Sequence, residues 1–133
     1  MPTFRSDTLS VTIDRDWQAV YDFASRPANM HLWAAGLGSD FQPVGDEWLL
    51  RDPGGKDIRM RFTPNNPYGV LDHDVFAGDQ TVHVAMRVVP NGDGAEVTFL
   101  LIQAPRQSDA EYERDAAAVR KDLLSLKAAL ERR

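Results

Sequence analysis

His73 is the residue that pattern alone best places to do chemistry. Between residues 68 and 76 two phases alternate, one holding Leu71, His73 and Val75, the other Val70, Asp72, Asp74 and Phe76. If this stretch lies against a core, burying one imidazole costs less than burying two unpaired carboxylates, so the His73 phase is expected to face inward. An imidazole titrates near physiological pH and burial tunes it further, so a histidine in an apolar cavity is a candidate general acid or base. The competing role is structural, a neutral ring bonded to a backbone carbonyl or a nearby side chain. No serine or paired carboxylate can be assigned to it as a partner. Asp72 is adjacent, but neighbours on a regular strand point to opposite faces, and only a bulge would bring both inward. Its expected work is to tie down the 65–69 loop or to pair with an arginine on the outer face.

Other side chains are candidates for contact with a small molecule. Trp33, Trp48, Met60, Phe62 and Met86 suit an irregular apolar ligand, since thioethers are flexible and rings are flat; they equally suit a filled core. Tyr112, Tyr21, Asn29 and Gln103 are candidate polar contacts, or core and rim residues. Arg51, Arg59, Arg61 and Arg87 are expected on the outer face with Glu47, Asp57 and Glu96, ion-paired or open to an anionic partner. No metal is expected: His31, His73 and His83 lack ligand spacing. No cofactor is expected either, because phosphate-cradling and dinucleotide glycine patterns are missing, and Gly36-Leu37-Gly38 lacks the strand-turn-helix context.

Those residues need elements to position them. Leu9, Val11 and Ile13 alternate with Thr8, Ser10 and Thr12 in a first strand. Asp14 is the expected cap of a short helix carrying Trp17, Val20, Tyr21 and Ala24, which Pro27 stops. Strands at 47–52 and 57–63 flank Pro53-Gly54-Gly55-Lys56 as a hairpin. Further strands are expected at 68–76, 80–89 and 95–102, giving five or six sequential antiparallel strands between 41 and 102. Ile58, Met60 and Phe62 share the inward phase with Trp48 and Leu50. The strongest local signal is last. Ser108-Asp109-Ala110-Glu111 forms a capping box, and Tyr112, Ala116, Val119, Leu123, Leu126 and Leu130 recur at spacings of four and three. This stripe fits burial against the sheet; a coiled-coil dimer is the alternative. The order implies an α+β fold, a curved antiparallel sheet wrapped around one long C-terminal helix, with room for a cavity between them.

Composition sets the outer bounds. The 133 residues, 43% hydrophobic and 26% charged, suit a single folded domain over 1–133 with a sizeable core. With no cysteine, disulfides, thiolate metal sites and cysteine nucleophiles are excluded. A net charge of −5 without a basic cluster argues against nucleic acid as a partner. No signal segment or membrane span is visible, so a cytoplasmic protein is expected.

The opening Ser10-Val11-Thr12-Ile13, then Asp16-Trp17-Gln18-Ala19-Val20-Tyr21-Asp22-Phe23, Asn29 and Trp33, resembles the START-like superfamily, which includes the polyketide cyclase/dehydrase-type (SRPBCC) proteins. Asn66-Pro67-Tyr68-Gly69-Val70-Leu71-Asp72-His73, Met86 to Gly94 and Asp122-Leu123 are similar to one bacterial branch of it. The likeness covers nearly the whole chain. It implies the helix-grip fold and a cavity for an apolar, amphipathic or lipid-like ligand. Some members catalyse cyclisation or dehydration and others assist proteins, so His73 as acid or base, and an interaction module or homodimer, stand as alternatives. The superfamily has no common catalytic set to carry over.

Overall fold

The structure, a computed structural model, describes residues 2–133. Its elements are β1 (Ser6–Ile13), α1 (Trp17–Ala24), a 3-10 turn (Pro27–Asn29), α2 (Met30–Trp33), β2 (Ser39–Val44), β3 (Glu47–Arg51), β4 (Asp57–Phe62), β5 (His73–Ala77), β6 (Gln80–Asn91), β7 (Gly94–Ile102) and α3 (Asp109–Glu131). Seven strands form one antiparallel sheet ordered β1-β7-β6-β5-β4-β3-β2. The long β6 joins its two wings: residues 80–84 pair with β5 and residues 85–91 with β7. A strand shared in this way lets the sheet curve around α3.

Between 68 and 76 the chain departs from the sequence-based expectation. Alternation continues through it, but β5 begins only at His73, preceded by a single bridge between Val70 and Arg87. The cause is Asn66, whose Oδ1 accepts from Tyr68 N and Val70 N while Nδ2 donates to the Pro64 and Val70 carbonyls. A side chain that satisfies so many local backbone groups competes with the ladder. Gly69 then sits at φ 72°, where a Cβ would run into the Val88 carbonyl.

Asp72 follows as a repair. Its Oδ1 accepts Met86 N at 2.9 Å, in place of a strand carbonyl, and the same carboxylate takes Arg87 in a two-pronged pair at 3.0 Å. Arg87 holds the Asp72 carboxyl below the usual range. The outer-face pairing expected of Asp72 is thus present, and Arg59 and Arg61 both bond Glu47 at 2.7 Å nearby.

α3 has the expected capping box, with Ser108 Oγ accepting from Glu111 N and Glu111 Oε1 accepting from Ser108 N. It packs along β1, α1 and α2, burying Tyr112, Ala116, Leu123, Leu126, Ala129 and Leu130. The stripe is buried against its own chain. Two details at its far end were not legible in advance. Arg15 reaches over from the β1–α1 turn to donate to Leu130 O at 2.8 Å, closing the helix C-terminus. Asp14 N is meanwhile held by Glu131, so the cap of α1 falls to Asp16, which accepts from Gln18 N and Ala19 N.

Candidate functional site

A cavity of about 400 Å³ lies between α3, α2 and the concave face of the sheet. Ile58, Val75, Val84, Met86 and Phe99 form its sheet wall, and Ala118, Val119 and Leu123 its α3 wall. Met30, Trp33 and the 34–37 segment close a third side, while exposed Ala77, Val82 and Asp115 mark its rim. Side chains of this kind in a space of this size suit a small organic molecule.

Two buried polar groups interrupt the apolar lining. His73 is 7% exposed and lies between the Phe62 and Phe99 rings, at centroid distances of 5.7 and 6.5 Å. Its Nδ1 lies 3.0 Å from Leu71 O. A carbonyl only accepts, so Nδ1 carries the proton and Nε2 of the neutral ring keeps a lone pair. Burial pushes the His73 pKa below its ordinary value, against the opposing pull of that carbonyl, so the ring is neutral at neutral pH. Trp33 is the second. Its Nε1 is a buried donor without a hydrogen-bond partner among the described residues. An orphaned donor of this sort costs about 1–3 kcal/mol.

Asp122 supplies a third polar feature, on the α3 wall. Gly36 N donates to its Oδ1 at 3.0 Å, tying the segment after α2 to the long helix. Partial burial pushes its pKa up to about 6, although Gly36 N and the neighbouring Lys121 pull it down. In the unfolded chain the group titrates near 3.8. Between these values the folded state holds the extra proton, so stability falls as pH rises through that window and the penalty is complete above it. Asp122→Asn keeps an acceptor for Gly36 N and removes the charge. It should be more stable than the parent at neutral pH by about 1 kcal/mol after allowance for solvent screening, or about 3 °C in Tm. Thermal denaturation against pH would check this, and the advantage should vanish below pH 3.8; a variant less stable at neutral pH would contradict it.

The candidates named from the sequence divide by position. Trp33, His73 and Met86 meet at the cavity. Met60 and Phe62 occupy the inward phase of β4, but Met60 is sealed in the core and Phe62 reaches the site only through His73. Trp48 pairs with Met60 on β3, away from the lining. Tyr112 is fully buried at the start of α3, donating to Asp7 Oδ2 at 2.6 Å, with burial and Asp7 pushing its pKa up to about 12. Asn29 Nδ2 donates to Phe23 O, Tyr21 Oη accepts from Asn66 N, and Gln103 bonds Gln107 O and Asp109. Asp122 was not foreseen. Its signal was the pair Asp115 and Asp122, seven apart along the edge of an apolar helical stripe.

Solved structures share this architecture. An uncharacterised protein of Bacillus thuringiensis superposes with a TM-score of 0.74 at 16% identity, over 94% of this chain and 98% of that one. The Aha1 dimer from Colwellia psychrerythraea gives 0.72 at 18% identity, over 96% of both chains. DynU16, a protein in the dynemicin biosynthetic locus, gives 0.72 at 14% identity, over 95% of this chain and 47% of that one. This chain has the α+β helix-grip fold of these structures. No protein-family model matches the sequence, and no curated protein matches it significantly. Among the described residues no helix is long and apolar enough to cross a membrane.

Proposed function

We propose that this protein binds a small, largely apolar molecule in the cavity between α3 and the sheet. One observation carries the reading: an apolar space of about 400 Å³ is lined by His73, whose Nε2 lone pair has no hydrogen-bond partner among the described residues. A cavity meant only to be core would be smaller and would not leave a polar atom unmatched at its wall. The helix-grip scaffold, and the place of DynU16 in a biosynthetic locus, support it by analogy. The neutral probe N-phenylnaphthylamine should bind saturably, one per chain, with quenching of tryptophan emission as Trp33 is covered. Absence of saturable binding, together with native mass spectra free of any co-purified molecule, would refute the proposal.

His73 favours a second reading, a cyclase- or dehydratase-type enzyme. A neutral imidazole with its lone pair in an apolar cavity is poised to take a proton, and exclusion of water would help it. Under that reading His73→Gln abolishes turnover of a bound substrate while leaving the chain folded, and retained turnover rejects it.

A further inference from the structure

The charge pattern of the cavity narrows the chemistry of its occupant. Among the described residues three carboxylates contribute to the lining, Asp52 from the β3–β4 turn and Asp115 and Asp122 from α3, and no lysine or arginine does. Asp52 Oδ1 accepts from Lys56 N, and Asp115 is engaged by Gln107 Nε2. Asp122 is less committed: Oδ1 takes Gly36 N, and among the described residues no group bonds Oδ2. The polar group deepest on the opposite wall, His73, is nine-tenths buried and presents a lone pair as well. Acceptors thus outnumber donors at the site; Trp33 Nε1, the buried donor left over among the described residues, is closed off from the cavity space.

Resting on the binding reading above, we propose that the ligand joins an apolar body to a cationic or donor-rich head, such as a protonated amine, and that Asp122 is its ion-pair partner. An anionic amphiphile is disfavoured by the same geometry, because a carboxylate head would meet three like charges and no cation. A partly desolvated carboxylate is stabilised by a cation brought into hydrogen-bond range far more than a fully solvated one would be. Lys121, whose charge acts on Asp122, is on the exposed side of α3. His73 is neutral and offers the head no competing charge.

The test uses three ten-carbon probes that differ only in their heads: decylamine, decanol and decanoate. Each is titrated at neutral pH against the whole protein, with binding read by tryptophan fluorescence and calorimetry. The amine should bind about tenfold more tightly than the alcohol, and the acid more weakly than either. Asp122→Asn should bring the ratio of amine to alcohol affinity close to one. If the alcohol binds but the amine holds no advantage, or if Asp122→Asn preserves that advantage, the head-group assignment is wrong while the cavity reading stands. If none of the three binds, the cavity reading itself fails and takes this inference with it.

Discussion

Leu126→Ala is expected to remove about 3 kcal/mol of stability and lower Tm by about 10 °C. Leu126 has no exposed surface, and the side chains around it belong to a core that includes Ile13, Val20 and Val97, all likewise fully buried. Truncation there costs the transfer energy of the lost carbons and leaves a void that strands on one side and helices on the other are too rigid to close. Leu124, two residues earlier on the same helix, is 60% exposed. Leu124→Ala should stay within about 0.5 kcal/mol of the parent. Chemical denaturation of the two variants side by side isolates burial from helix propensity, since both make the same substitution in the same helix. Equal losses would mean that α3 is not held in the grip of the sheet.

The contrast between those leucines was readable from spacing, and so was much of the fold. Tyr112, Ala116, Leu123, Leu126 and Leu130 announce one helix face because 3.6 residues per turn leave few other ways to group them. The inward phase of β5 was readable from cost alone, since Asp72 and Asp74 could not both be buried unpaired, and His73 does face the interior. Position along the strands was not readable. Trp48, Met60 and Phe62 have the correct phase, yet phase fixes a face and says nothing about which end of it the helix leaves uncovered. Asp122 was illegible for a related reason. Its environment is made by Gly36, distant in sequence, and a lone carboxylate beside Lys121 reads as solvated surface until the segment after α2 is laid on top of it.

Fold and site are linked through those same unreadable contacts. Val84 pairs directly with His73 in the β5–β6 ladder, and two residues on, Met86 N is held by the Asp72 carboxylate. The hydrogen bond that repairs the interrupted strand on the outer face therefore also fixes the backbone that presents His73, Val84 and Met86 inward. On the facing wall, the bond from Gly36 N to Asp122 sets how closely the 34–37 segment approaches α3. Both walls are anchored by a carboxylate accepting a backbone N–H. The space between them is therefore a built feature of the fold, held open at a cost in ionised Asp122.

Filling that space should move binding and stability in opposite directions. Val84→Phe and Val119→Phe together project rings into the cavity from the sheet wall and the α3 wall. Saturable binding of an apolar probe should weaken by more than about tenfold, because the rings occupy the volume the ligand needs. The same rings gain contacts that an empty cavity withholds, so the doubly substituted protein should be as stable as the parent or firmer by about 1 kcal/mol. Should two rings crowd one another, Val119→Phe alone makes the same test with less risk of overpacking, as Val119 is only partly buried. A merely structural role for these valines cannot produce that pairing of outcomes: damage to the core would lower stability and binding together. Undiminished probe affinity in a folded variant would place the ligand elsewhere on the molecule.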